Sequence, residues 1–178
     1  PDFNSVLFCF ILDGNSINMT EKEIKTSYFV YDNLEELEEA DQSLMQKACG
    51  IRDKAYAPYS KFMVGAAIHL ANGEIITGNN QENAAYPSGL CAERNAIFQA
   101  GAQFPNEKIL TIAISVKSQN KKVIVPAPPC GACRQAIAEY EFKQESPIKI
   151  MFMAEIGKVI QVNSLLDILP LAFDSSYL

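Results

Sequence analysis

The feature that most constrains this chain is a set of three cysteines at the predicted starts of two helices. Cys130 and Cys133 form a C-x-x-C pair on the first turn of one helix, so both sulfurs lie on one side. Cys91 stands at the start of the other helix. Exposed N–H groups at helix starts favour thiolates, the form of cysteine that binds metals. If the two helix starts converge, they form a three-thiolate pocket suited to zinc.

The remaining pattern predicts a layered α/β domain. Apolar residues at three- and four-residue steps predict a helix that begins at Asn33, with Glu36 as a capping-box-like partner, and ends at Pro58. Further helices are predicted over 91–102, 130–142 and 164–169, and strands over 63–71, 74–79, 109–116, 148–153 and 159–162. Asn72-Gly73 predicts a type I′ turn between the first two strands. Because strands and helices alternate, helices should cover the faces of the sheet.

Length and charge limit the classes of protein to which the chain can belong. The 178 residues favour one domain over 19–178, with 1–18 as a leader or a foreign segment that is poorly ordered. Asp2 rather than a positive charge precedes the apolar run in that segment, which disfavours a secretory signal; an extra edge strand is the other alternative. The net charge of −6 disfavours nucleic-acid binding. Without an apolar run of about 20 residues, no membrane helix is predicted.

The number of available ligands distinguishes a catalytic zinc from a structural one. A structural zinc has four protein ligands, whereas a catalytic zinc keeps one position for water. Cys49 lies at an apolar helix position and fits the core, Cys9 lies in the doubtful leader and has no assigned role, and the single histidine, His69, fits a structural or surface group in a strand. Three sulfurs and a water are therefore favoured. Five cysteines in a chain of this length also favour a reducing, cytoplasmic compartment.

Glu93 follows Cys91 by two residues, in the first turn of the predicted helix. First-turn side chains lean back over the helix end, so Glu93 and Cys91 can reach one pocket. A carboxylate beside an activated water is what proton transfer requires. The alternative is a glutamate that only stabilises the helix dipole.

Several segments together resemble the small zinc-dependent cytidine deaminases. The chain contains Cys91-Ala92-Glu93-Arg94 and, later, Pro129-Cys130-Gly131-Ala132-Cys133-Arg134-Gln135, which resemble the zinc-binding signature of that family. The segment 62–67 resembles its strand that enters the pyrimidine site, and 80–84 its ribose-binding segment, in an agreement that runs from 44 to 173. Related nucleic-acid-editing and deoxycytidylate deaminases usually have histidine at Cys91, so three cysteines indicate the free-nucleoside branch. Gln81 replaces the isoleucine usual at its position.

The resemblance implies both a fold and an activity. The fold would be a three-layer α-β-α sandwich around a mixed sheet of about five strands. The activity would be hydrolytic deamination of cytidine and deoxycytidine in pyrimidine salvage, with one Zn²⁺ per subunit on Cys91, Cys130 and Cys133. Hydroxide formed at the zinc would attack C4 of the base while Glu93 shuttles protons and ammonia leaves. Partners would be nucleosides, without nucleic acid or membrane.

The resemblance also assigns roles to further residues. Arg94, with Arg134 as a second candidate, would donate to the thiolates and offset their charge. The base would stack on Phe62, and its carbonyl would bind the N–H of Ala92. Asn80 and Glu82 would bind the ribose hydroxyls. The small members form homotetramers, in which Phe173 would reach the active site of a neighbouring subunit.

Two other readings remain open at this point. One is a related zinc deaminase that acts on another aminopyrimidine nucleoside, such as an antibiotic of the blasticidin type. The other is a zinc or redox domain without enzymatic activity. That domain would have a fourth protein ligand or a reversible Cys130–Cys133 disulfide, and it would be indifferent to Glu93→Ala.

Overall fold

The computed structural model describes residues 19–178, and the predicted leader with Cys9 lies outside them. The strands are β1 (Phe29–Tyr31), β2 (Phe62–Leu70), β3 (Ile75–Asn79), β4 (Ile109–Ser118), β5 (Lys149–Met153) and β6 (Val159–Val162). The α-helices are α1 (Glu39–Arg52), α2 (Ala92–Gln103) and α3 (Gly131–Gln144). Four short 3-10 helices cover Leu34–Glu36, Tyr86–Ser88, Leu165–Ile168 and Ser175–Tyr177. None of the helices in this part of the chain has the length and apolar character to cross a bilayer.

The strands form one mixed sheet in the order β1-β6-β5-β4-β2-β3. The β4–β5 pair is parallel, and every other neighbouring pair is antiparallel. Within residues 19–178 the sheet has six strands, one more than the roughly five predicted. The additional strand, β1, is a short edge strand with mostly exposed side chains, so it carries no alternating pattern that would reveal it in the sequence.

Side chains alternate between the two faces of the sheet and define three layers. Ala66 and Ile68 of β2 lie in a core cluster with residues of α2 and α3. Ala67, between them, lies in a second cluster with residues of α1. The helices therefore cover both faces of the sheet, with α1 on one side and α2 and α3 on the other. This confirms the predicted α-β-α arrangement.

Two glycines allow α1 and α2 to pack closely on the sheet. A Cβ atom at Gly65 of β2 would lie 2.1 Å from the carbonyl oxygen of Ala48 on α1. A Cβ atom at Gly78 of β3 would lie 2.6 Å from the backbone nitrogen of Ala96 on α2. Neither distance is compatible with a larger residue, so both positions fix how near the helices lie to the strands. The position of α2 matters most because Cys91 stands at its start.

The predicted helix from Asn33 to Pro58 was wrong at both ends. The side chain of Glu36 accepts hydrogen bonds from the backbone N–H of Asp32 at 2.9 Å and from Nδ2 of Asn33 at 3.0 Å. These bonds close a separate 3-10 turn, and the extended backbone of Leu37 (ψ 161°) interrupts the helix before α1 begins. The helix then ends at Arg52. The predicted helix over 164–169 is a 3-10 turn capped by Ser164.

The β2–β3 hairpin has a different turn from the one predicted. A type I′ turn needs positive φ at both central residues. Gly73 has φ 88°, but Asn72 is not among the described non-glycine residues with positive φ. The N–H of Gly73 donates to the carbonyl of Leu70, and the N–H of Leu70 donates to the carbonyl of Glu74, both at 3.0 Å. These bonds close a three-residue loop, in which Asn72 Oδ1 also accepts from the N–H of Glu74.

Candidate active site

The three predicted cysteines converge at the starts of two helices. Cys91 is the N-cap of α2 and Cys130 is the N-cap of α3. The carbonyl of each accepts the first hydrogen bond of its helix, at 3.0 and 2.9 Å. Cys133 is buried in the first turn of α3. The three sulfur atoms lie within 4.8 Å of one another, and Cys130 Sγ lies 3.5 Å from Cys133 Sγ.

Mutual hydrogen bonds shift the pKa values of two of the thiols in opposite directions. The pKa of Cys91 is lowered to about 5 because the Cys133 thiol donates to its sulfur, an effect that outweighs burial. Arg94 reinforces this, since its Nη2 lies 3.5 Å from Cys91 Sγ. The pKa of Cys133 is raised because it donates to Cys91 and is buried. Of these two thiols, Cys91 is therefore the one that ionises more readily.

The sulfur cluster fits a zinc ion. Tetrahedral zinc with Zn–S bonds of about 2.3 Å places its sulfur ligands about 3.8 Å apart. The observed spacing is compatible with this, and within residues 19–178 no histidine, carboxylate or further cysteine completes the group. Cys49 lies in the α1 layer, where its Sγ is 3.4 Å from Ser115 Oγ. His69 lies within β2, opposite Ile75 and Thr111. Three sulfurs leave one coordination position for water, as a catalytic zinc requires.

Glu93 lies beside this cluster and is only 6% exposed. Burial raises the pKa of the Glu93 carboxyl, and the negative charge on Cys91 acts in the same direction. A hydrogen bond from its own backbone N–H and the positive charge of Arg94 oppose the shift without cancelling it. A raised pKa makes this carboxylate a better proton acceptor than an ordinary glutamate, which suits general acid–base catalysis.

The two arginines predicted to support the thiolates make different contacts. Arg94 reaches Cys91 through Nη2, while its buried Nε has no hydrogen-bond partner among the described residues. Arg134 donates to the carbonyls of Pro129 and Ile168, each at 2.8 Å. Arg134 thus lies on α3 and reaches back to the loop that leads into Cys130, and its observed hydrogen bonds go to backbone oxygens rather than to sulfur.

A cleft of about 540 Å³ opens next to Cys91. Its lining residues are Tyr59, Ser60, Asn80, Gln81, Glu82, Asn83, Tyr86, Gly89, Leu90, Cys91 and Arg94. Gln81 exchanges two backbone hydrogen bonds with Leu90, both at 2.9 Å. On the other side, the N–H of Glu82 donates to the carbonyl of Tyr56 at 2.9 Å. Because Leu90 precedes Cys91, this ladder fixes the cleft wall relative to a metal ligand.

The predicted ribose ligands lie in this wall. Asn80 donates from Nδ2 to the carbonyl of Phe62 at 2.9 Å and accepts at Oδ1 from the N–H of Val64 at 2.8 Å. Glu82 accepts from the N–H groups of Tyr59 and Ser60 at 2.9 and 3.2 Å, and from the Ser60 hydroxyl. Burial opposes ionisation of Glu82, but these hydrogen bonds outweigh it and lower the pKa of the carboxyl. Glu82 is thus an oriented anion in the cleft.

The other three residues predicted to contact the substrate differ in burial and in their place in the fold. Phe62 begins β2 and is half-buried, on the α2 face by the alternation of the strand. Ala92 is fully buried at the first position of α2, where a helix leaves its N–H groups without internal partners. Phe173 is 55% exposed, stacks on Tyr177 with ring centroids 5.5 Å apart, and does not line the cleft of its own chain.

Sequence reasoning missed two aromatic residues of the cleft. The rings of Tyr59 and Tyr86 meet edge to face, with centroids 6.0 Å apart. Both line the cleft and are largely exposed. Because Tyr59 directly follows Pro58, the sequence alone could have placed Tyr59 in a loop. Its contact with a residue far along the chain was not, because no local pattern encodes that pairing.

Comparison with known proteins gives a consistent result. The family model described as "Cytidine and deoxycytidylate deaminase zinc-binding region" matches residues 38–146. The chain is 45% identical over 98 residues to the cytidine deaminase of Halalkalibacterium halodurans, covering 55% of this chain and 70% of that protein. It is 36% identical over 140 residues to the cytidine deaminase of Sporosarcina psychrophila, covering 76% and 95%.

Solved structures give the same picture for the fold. The crystal structure of cytidine deaminase from Burkholderia pseudomallei aligns with a TM-score of 0.63 at 36% identity, covering 74% of this chain and 97% of that one. Cytidine deaminase from Mycobacterium tuberculosis aligns with a TM-score of 0.57 at 29% identity, covering 74% and 95%.

Proposed function

Because the chain belongs to the cytidine and deoxycytidylate deaminase family, we propose that it hydrolyses cytidine and deoxycytidine to uridine and deoxyuridine with release of ammonia. The observation that carries the proposal is the three-sulfur cluster with a buried carboxyl beside it. The chain is an enzyme of this kind, and its cofactor is Zn²⁺. Pyrimidine salvage is the metabolic role that we propose for it.

We assign the zinc to Cys91, Cys130 and Cys133. The bound ion supplies the Lewis acidity that lets water act as a nucleophile near neutral pH. The negative charge of three thiolates reduces that acidity. The hydrogen bond from Arg94 to Cys91 offsets part of this negative charge. Cys133 is buried and Cys91 partly buried, whereas Cys130 is exposed, so the cluster is shielded from bulk water on one side only.

Glu93 is the residue that we assign to proton transfer. Its carboxylate accepts a proton from the attacking water and delivers it to N3 of the cytosine ring, which makes C4 electrophilic. The C4–O bond forms, Glu93 passes the second proton of the water to the exocyclic amino group, and the C4–N bond breaks to release ammonia. Water and cytidine are thereby converted to uridine and ammonia, and Glu93 returns to its starting state.

The cleft orients the nucleoside for this reaction. Asn80 and Glu82 lie in its wall, where we expect Glu82 to accept hydrogen bonds from sugar hydroxyls. The backbone N–H of Ala92 is directed at the base carbonyl in our proposal, and Phe62 stacks on the ring. Ionised Glu82 favours a neutral nucleoside over a nucleotide, because a phosphate would meet a like charge.

We further propose a cytoplasmic homotetramer in which Phe173 completes the site of a neighbouring subunit. The C-terminal residues Leu171, Phe173, Tyr177 and Leu178 are 91, 55, 70 and 96% exposed, an apolar set that suits burial in an assembly. The free state of Cys49, Cys91, Cys130 and Cys133 fits a reducing compartment. Light scattering measures the assembly, and loss of turnover in Phe173→Ala without loss of assembly would support the shared site.

The test of the activity is the ultraviolet absorbance of cytidine mixed with the purified, zinc-loaded protein. Loss of the cytidine band with release of ammonia is the expected result. No conversion of cytidine or deoxycytidine, with zinc bound, would contradict the proposal. The favoured substrate would then be another aminopyrimidine nucleoside, such as an antibiotic of the blasticidin type.

A further inference from the structure

We propose that Gln81 is a positioning residue that acts through Asn79 to hold the sugar-binding wall of the cleft. This inference rests on the proposed function, because it assigns sugar binding to Asn80 and Glu82. Gln81 stands between these two residues, and its Nε2 donates to Asn79 Oδ1 at 2.6 Å. The bond joins side chains two residues apart, so it spans the backbone of Asn80.

Asn79 ties this bond to both helices that flank the strand. Its Nδ2 donates to the carbonyl of Ile51, at the end of α1, at 3.2 Å. Its own carbonyl accepts from Asn95 Nδ2, on α2, at 2.7 Å. Asn95 is four residues from Cys91 and two from Glu93. Through Asn79, Gln81 is therefore connected to the helix that carries the metal ligand and the proton carrier.

The network also fixes the orientation of both side-chain amides. Only the NH₂ group of Asn79 can donate to the Ile51 carbonyl, which leaves Oδ1 directed at Gln81. Since Oδ1 can only accept, Gln81 must present its own NH₂ group. A side chain of the same size without that donor cannot replace it.

The side chains of residues 79–82 project alternately to opposite sides, which explains how the Gln81–Asn79 hydrogen bond can affect Asn80 and Glu82. Asn79 and Gln81 project to one side, and Asn80 and Glu82 to the other, where they bind the backbone over 59–64. A rotation of the segment about its axis would move both sugar ligands together. Backbone bonds to Tyr56 and Leu90 limit its translation, and the Gln81–Asn79 bond limits this rotation.

The test compares Gln81→Leu with the unmodified enzyme on two substrates. For cytidine we expect KM to rise about three- to tenfold with little change in kcat, which is what one exposed hydrogen bond supplies. With 2′,3′-dideoxycytidine, followed by turnover or by inhibition of cytidine turnover, the two proteins should be alike, because the 2′ and 3′ hydroxyls that Asn80 and Glu82 are proposed to bind are absent. A double-mutant cycle with Asn79→Ala should show the two changes to be non-additive.

Gln161→Leu is the matched control, because Gln161 Nε2 donates to Asn163 Oδ1 at 3.2 Å, also two residues apart, on β6. This substitution should leave KM and kcat unchanged for both substrates. An active enzyme in which Gln81→Leu leaves KM for cytidine unchanged, or changes both substrates by the same factor at an unaltered Tm, overturns the inference alone. An unmodified protein that converts neither cytidine nor deoxycytidine overturns the proposed function and this inference with it.

Discussion

Glu93 is the residue on which the chemistry depends most directly. It combines near-complete burial with a position beside two sulfurs. Burial of a carboxyl is unfavourable for folding, and the charge of Arg94 offsets only part of the rise in its pKa, so its presence here points to a use in the reaction. Loss of its side chain should affect turnover far more than metal binding, since it is not one of the three clustered ligands.

Glu93→Ala should keep its zinc and lose about two to four orders of magnitude in kcat, because the proton carrier is absent while the metal site remains. Zinc content by mass spectrometry and cytidine turnover measure the two effects. Glu74→Ala, at an exposed hairpin position, is the control and should resemble the unmodified enzyme. Normal turnover of Glu93→Ala would refute the assigned role.

The opposed pKa shifts of Cys91 and Cys133 predict how zinc binding depends on pH. Binding must displace the proton of Cys133 near neutrality, because the pKa of Cys133 is raised. As the pH falls through about 5, the pKa of Cys91, a further proton competes with the metal. Affinity for zinc should therefore fall with pH, and more steeply below pH 5. Titration of metal-free protein against an indicator chelator measures this, and a flat profile would count against the ligand set.

Among the secondary-structure elements, α2 is the one on whose position the site depends most. Gly78 of β3 lets it lie close to the sheet, Cys91 is its N-cap, and its first turn carries Glu93. A displacement of α2 would separate these groups from α3 and from the cleft wall. The geometry of the site is therefore set partly by a residue that contacts neither metal nor substrate.

Gly78→Ala should destabilise the protein by about 1–3 kcal/mol through overpacking and should weaken zinc binding. Thermal unfolding and metal content provide the measurements. Gly50→Ala is the matched control, because a Cβ at Gly50 of α1 meets nothing within 4 Å. That change should be neutral or stabilising by about 0.5–1 kcal/mol. Equal effects of the two substitutions would contradict the packing argument.

Sequence reasoning succeeded for elements whose signals are local. The starts of α2 and α3 could be predicted because Cys91 and Cys130 directly precede helical patterns, and the convergence of their sulfurs was implied by the resemblance to zinc-dependent deaminases. The break at Leu37 could not, because it depends on Glu36 folding back onto Asp32 and Asn33. The Tyr59–Tyr86 contact and the Asn79 network depend on distant segments meeting. Long-range pairings of this kind leave no periodic trace in the sequence.

At the scale of the whole molecule, the metal links parts of the chain that are far apart in sequence. Cys91 belongs to α2, whereas Cys130 and Cys133 belong to α3, and β4 lies between these helices along the chain. An ion held by all three sulfurs would bridge the two helices and stabilise the folded state relative to the unfolded one.

Removal of zinc with a chelator should therefore lower Tm by several degrees, and zinc should restore it. Scanning calorimetry of the metal-free and reloaded protein measures the difference. Cys130→Ala should start from the lower Tm and show no response to added zinc. An unchanged Tm after verified loss of the metal would show that the ion adds nothing to folding.

The parallel pairing of β4 with β5 has a consequence for synthesis of the protein. All three sulfurs precede β5 in the chain, yet α3 packs against a core that includes Ile150 and Phe152 of that strand. A nascent chain that has emerged from the ribosome only as far as α3 thus has every metal ligand but lacks the strand against which α3 is seated. We expect stable metal capture to await synthesis of β5, so that loading of this enzyme follows the appearance of its three ligands rather than accompanying it.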